Sequence, residues 1–96
     1  MPSDINLIRK AGRAVGRVQG VGFRFFVRNS AATINVTGWV KNMNDGSVTM
    51  ELQGEPVAVE YLIEKIKKGR GRIKVTEFES SDLPVVKGES GFAIRK

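Results

Sequence analysis

An α+β fold in the order β-α-β-β-α-β, with an antiparallel sheet and two helices on one of its faces, is what this 96-residue sequence predicts. Three observations carry the prediction. Apolar residues recur at helical spacing in two segments, one opening at Phe23 and one at Pro56. The stretches around them alternate with a period of two. The second and third of those stretches meet at Asp45-Gly46, a strong hairpin signal.

Residues 1–8 read as a loose lead-in. Lys10 to Val18 alternates weakly, with Gly12, Ala14, Gly16 and Val18 on one face and Arg13, Val15 and Arg17 on the other. This predicts a first strand whose buried face is made of small residues, leaving space for a packed helix. From Phe23 the period changes. Phe23, Phe26, Val27, Ser30, Ala31 and Ile34 share one helical stripe, while Arg24, Arg28, Asn29 and Thr33 fall outside it. Asn35 follows as a left-handed stop.

Val36 to Asn42 and Ser47 to Gln53 then form a hairpin around Met43-Asn44-Asp45-Gly46, where Asp and Gly both tolerate positive φ. Gly54-Glu55-Pro56 opens a second helix with Pro56 in its first turn. Its apolar stripe reads Ala58, Tyr61, Leu62, Lys65 and Ile66, and Gly69 ends it. Arg72 to Phe78 reads as a fourth strand whose alternation slips after Val75, the mark of a bulge. Gly91 to Arg95 is a short fifth. The order is the split-βαβ, or ferredoxin-like, pattern. At this length, residues 1–96 are expected to form one domain. The architecture alone decides no function, because it hosts many.

Composition narrows the chemistry. There are no cysteines and no histidines, which removes disulfides, thiolate nucleophiles, imidazole general bases, the serine–histidine triad and nearly all transition-metal sites. Glu77, Glu79 and Asp82 come nearest to an acidic cluster and read as a solvated strand face, so no metal is expected. Ile5, Leu7 and Ile8 are too few for a signal peptide, and nothing approaches the ~18 apolar residues of a membrane span. A soluble, cytoplasmic protein is expected. The net charge of +6 favours anionic partners, either nucleic acid or a small phosphorylated metabolite.

The densest signal is Gly16-Arg17-Val18-Gln19-Gly20-Val21-Gly22-Phe23-Arg24. It runs a strand through two glycines into the start of a helix. Glycine permits backbone amides to converge on one point, and a helix N-terminus adds unpaired N–H groups and a positive dipole end. Arg24 supplies a planar fork that suits two oxygens of one anion. The segment is neither a dinucleotide fingerprint, lacking the third glycine, nor a Walker loop, lacking Gly-Lys-Ser/Thr. Read from the residues alone, it fits a cradle for one phosphoryl group and equally a tight strand–helix connection. Asn42, at a strand end, fits turn hydrogen bonding and also the aiming of a water molecule. The basic run Lys65, Lys67, Lys68, Arg70, Arg72 and Lys74 reads as a solvated surface.

Together with Gly38-Trp39-Val40-Lys41-Asn42, Asp45-Gly46, Gln53-Gly54 and Phe92-Ala93-Ile94-Arg95, this segment closely resembles acylphosphatases over nearly the whole chain. The resemblance implies hydrolysis of the carboxyl–phosphate bond of small acyl phosphates, with no metal or cofactor. It implies Arg24 and Asn42 as catalytic residues, the first binding phosphate and the second orienting water. Gln19, Gly20, Val21, Gly22 and Phe23 match the phosphate-binding backbone loop. The sequence departs from the family at Ile34-Asn35-Val36, where Leu-Gly-Leu is usual, at Lys96, where an aromatic residue is common, and at the small Gly12 and Ala14.

Expected partners are therefore a small acyl phosphate and the product inorganic phosphate, with no membrane and no nucleic acid, and a monomer as the resting state. An RNA-recognition module shares the architecture, but Gln19, Val21 and Arg24 break its signature, and Phe23, Phe25 and Phe26 run at helical rather than strand spacing. The opening motif also resembles the acylphosphatase-like domain of hydrogenase-maturation carbamoyltransferases, which carry proline where Phe25 stands and are much longer chains. The free-standing hydrolase is the reading carried forward.

Overall fold

The computed structural model describes residues 6–96. Its elements are β1 (Ile8–Arg17), α1 (Phe23–Thr33), β2 (Thr37–Asn42), β3 (Val48–Gly54), α2 (Pro56–Lys68), β4 (Lys74–Leu83) and β5 (Phe92–Arg95). The lead-in expected over 1–8 lies outside the described residues for 1–5, and Ile8 already belongs to β1. No helix among the described residues is long and apolar enough to cross a membrane.

The five strands form one sheet in the order β4-β1-β3-β2-β5. β1 pairs antiparallel with β3 and β4, and β2 antiparallel with β3, as the split-βαβ, ferredoxin-like pattern requires. β5 departs from a wholly antiparallel sheet by running parallel to β2. The reason is topological. β4 finishes at one end of the sheet, and residues 84–91 cross beneath that end to the opposite edge, so β5 starts where β2 starts.

Alternation decides which side is buried. Ala14, Val40, Val48, Met50 and Leu52 meet Phe23, Val27 and Ala31 of α1 and Val59, Leu62 and Ile66 of α2 in one core. The small residues of β1 make room, and the neighbouring strands help to fill it. A Cβ at Gly12 would stand 2.8 Å from Phe78 Cζ and 3.0 Å from Met50 Cγ.

The stripe of α2 is rotated from expectation. Val59, Leu62 and Ile66 are buried at i, i+3 and i+7, whereas Tyr61 is 57% exposed. β4 runs five residues past Phe78 because an edge strand pairs through its main chain and needs no apolar alternation. Its slip is a bulge: Gly16 faces Val75 while Val15 faces Glu77, leaving Thr76 as the extra residue. Asn35 has φ 60° and ends α1 as expected.

The hairpin differs in mechanism. Gly46 has φ 92° but Asp45 is not in the positive-φ region. Asp45 instead accepts bonds at Oδ1 from Ser47 N (2.9 Å) and Ser47 Oγ (2.6 Å), while Gly46 N donates to Met43 O at 3.2 Å. Hydrogen bonds to Ser47, with the nearby Arg13 guanidinium, lower the Asp45 carboxyl to about 2 from 3.8.

The uncovered face holds a buried ion cluster. Arg9, 3% exposed, donates from Nε to Glu51 Oε1 (2.9 Å), from Nη1 to Gln53 Oε1 (3.0 Å), and through Nη1 and Nη2 to the two oxygens of Glu89 (2.8 and 3.1 Å). Thr37 Oγ1 also donates to Glu89, and Gln53 bonds both the N–H and the carbonyl of Val86. Residues 84–91 are thereby fastened under the sheet. Burial pushes the Glu89 carboxyl up, but the Arg9 and Thr37 bonds and the charges of Arg9 and Arg95 outweigh it and leave it below the usual range.

Candidate active site

The last residues of β1, β2 and β5 and the first of β3 and β4 share one end of the sheet, as the pairs Arg17–Lys74, Asn42–Val48 and Lys41–Arg95 show. The β1–α1 connection lies at this end. Gly20 and Gly22 have φ of 74° and 80°, a conformation that glycine adopts without strain, and a Cβ on either would project into open space. Gly22 is the N-cap of α1, so the helix opens with no capping side chain and no acidic residue in its first turn. The first helical bond runs from Phe26 N to Gly22 O at 3.0 Å. Among the described residues, the amides from Gly20 to Phe25 donate to no other group, which leaves a row of N–H groups and an uncompensated positive helix end.

Val18, Gly20, Gly22, Phe23, Arg24, Phe25 and Asn42 line one cleft of about 190 Å³ beside this row. Sites for drug-sized ligands run to about 300–1,000 Å³, so this cleft suits a phosphoryl group with a small substituent rather than a nucleotide. A larger groove of about 520 Å³ lies on the uncovered sheet face by Arg13, Trp39, Thr49 and Glu79, and the described residues that line it all belong to strands.

Of the expected site residues, Gly20, Gly22, Phe23, Arg24 and Asn42 line this cleft, while Gln19 and Val21 do not. Arg24 is half-buried, and its Nη1 lies 3.4 Å from the carbonyl oxygen of Arg95, a long contact that leaves the rest of the fork uncommitted. Asn42 Oδ1 is shielded from solvent and accepts no hydrogen bond from the described residues. A buried acceptor without a partner is costly in a folded protein and marks a place where a donor fits. Phe23 buries its ring in the core, which leaves its backbone to line the cleft, and Val21 packs its side chain against that core. Gln19 turns its carboxamide away, donating Nε2 to Met43 O (2.8 Å) and Ser47 O (2.9 Å).

Arg95 is the neighbour of Arg24 that sequence reasoning missed. Its guanidinium stacks on Trp39, 4.6 Å from the ring centroid, while its carbonyl faces Arg24. A backbone carbonyl has no residue-type signature, so only the parallel β2–β5 pairing reveals it. Among the described residues, no group of three or more His, Cys, Asp or Glu side chains could hold a metal ion.

A sequence model of the acylphosphatase family matches residues 10–94. An acylphosphatase of Clostridium beijerinckii is 43% identical over 93% of this chain and 99% of its own length. The crystal structure of the acylphosphatase from Bacillus subtilis superposes with a TM-score of 0.88 at 35% identity, covering 93% of this chain and 99% of that one. The structure of an acylphosphatase from Coxiella burnetii gives 0.89 at 32%, covering 99% and 100%. With a family match over most of its length, and relatives of the same size and architecture, this chain belongs to the acylphosphatase family of enzymes.

Proposed function

We propose that the chain, acting as one domain, hydrolyses small acyl phosphates to a carboxylate and inorganic phosphate without metal or cofactor. The amides of Gly20, Val21, Gly22 and Phe23, with the Arg24 fork, hold the phosphoryl oxygens and follow their charge into the transition state. Asn42 accepts a hydrogen bond from the attacking water and aims its oxygen at phosphorus, in line with the carboxylate. The new P–O bond forms as the bridging P–O bond breaks. The bridging electron pair leaves on the carboxylate, and the water proton passes to a phosphoryl oxygen. A carboxylate is a weak base and departs without a general acid, which fits a chain with neither histidine nor cysteine.

One observation carries this reading: the unpartnered Asn42 Oδ1 shares a cleft with Arg24 and the two positive-φ glycines. The deciding experiment is hydrolysis of benzoyl phosphate in EDTA by wild type and by Arg24→Ala. Turnover by wild type, lost in a folded variant, is the expected result. A folded wild type without turnover overturns the proposal, and turnover abolished by EDTA overturns its metal-free form.

A further inference from the structure

The run Phe23-Arg24-Phe25-Phe26 opens α1, and the helix sends its three rings to different places. Phe23 and Phe26 enter the core at 1% and 9% exposure, while Phe25 stays 53% exposed. An aromatic ring left in water forgoes most of the gain that burial gives it, so its position calls for a reason. Phe25 lines the same cleft as Gly20, Gly22, Arg24 and Asn42, and is the one large apolar side chain there that remains exposed.

The ring is also held. One turn along the helix, the Arg28 guanidinium lies over it at 5.1 Å from the centroid, and is itself steadied by Asn29 Oδ1 at 3.3 Å from both Nε and Nη2. A cation on one face of a ring reduces its freedom to swing and leaves its remaining surface to pack against something else.

We propose that Phe25, steadied by Arg28, is the wall that receives the acyl group, so that the enzyme favours acyl phosphates with an aromatic acyl moiety over acetyl-type substrates. The inference rests on the acyl phosphate reading above. With the phosphoryl group taken by the loop amides and Arg24, the carboxyl substituent is what remains to meet the exposed rim of the cleft. A polar cradle cannot distinguish one acyl group from another, because each presents the same phosphate. Phe25 offers a flat apolar surface that an aryl group covers and a methyl group barely touches.

The experiment is kcat/KM for benzoyl and acetyl phosphate with wild type, Phe25→Ala and Phe25→Tyr, each shown to fold by its thermal melt. Comparing the two substrates within each variant cancels their different intrinsic reactivities. The benzoyl-to-acetyl ratio is expected to fall about tenfold in Phe25→Ala and to stay within about twofold in Phe25→Tyr, which keeps the ring. An active Phe25→Ala with an unchanged ratio overturns the wall while sparing the hydrolase. Equal falls in both variants also overturn it, because the ring would then not be what matters. A folded wild type that hydrolyses neither substrate overturns both proposals together.

Discussion

Gln19 donates both hydrogens of its carboxamide to the β2–β3 hairpin, one to the Met43 carbonyl at 2.8 Å and one to that of Ser47 at 2.9 Å. Met43 follows Asn42 directly, so this side chain fixes the separation between the glycine loop and the residue proposed to aim the water. Gln19→Ala should lower kcat about tenfold through misplacement of Asn42. It should cost about 1–2 kcal/mol of stability for the two lost bonds. Gln19→Glu should be worse, since it turns acceptors toward two carbonyls. Urea melts and benzoyl phosphate turnover check both, and full activity in a less stable Gln19→Ala would confine the residue to a structural role.

Arg24→Lys should be nearly as damaging as Arg24→Ala, each losing at least ~100-fold in rate, because a point charge cannot reproduce a planar fork. Steady-state kinetics of the two variants side by side decide it. A lysine variant with most of the activity would mean that charge alone suffices.

Asn42→Ala should separate turnover from binding. A fall of about 100-fold in kcat, with the inhibition constant of inorganic phosphate moving less than about threefold, is expected of a residue that holds water and not phosphate. Parallel losses in both quantities would make Asn42 a phosphate ligand.

Arg9→Met should destabilise the protein by about 2–4 kcal/mol, because it leaves Glu89 and Glu51 beside a group that cannot pair with them. Both carboxylates retain some solvent contact, which keeps the cost below that of a fully enclosed pair. Chemical denaturation gives the size. Hydrogen exchange at Val86, whose amide bonds Gln53 at 2.8 Å, reports whether residues 84–91 loosen with it.

Asp45 makes part of the stability depend on acid. Its carboxyl is held at about 2, below the 3.8 of a free side chain. The folded state therefore binds the proton less readily than the unfolded chain does. The resulting stabilisation is complete above about pH 4 and is lost as pH falls toward 2. Glu89, also held below its usual range, acts in the same direction. Asp45→Asn should flatten the stability-against-pH curve between pH 4 and 2 without levelling it, as urea melts across that window would show. An unaltered slope would mean that the Ser47 bonds contribute nothing in solution.

The sequence by itself determined the order of elements, the two helix starts, the left-handed Asn35, the bulge in β4 and the glycine-bearing turn from β1 into α1, since each follows from local rules of periodicity, capping and turn chemistry. It also marked Arg24 and Asn42 as candidates, because their residue types carry chemistry wherever they stand. Only the tertiary structure decided the rest. The direction of β5, the phase of α2, the fastening of residues 84–91 by Arg9, the Gln19 bridge and the Arg95 carbonyl beside Arg24 all join groups distant in sequence. The physical reason is the same in each case. A hydrogen bond to a main-chain carbonyl, or an ion pair across some eighty residues, leaves no periodic trace along the chain and exists only once the sheet has brought its partners together.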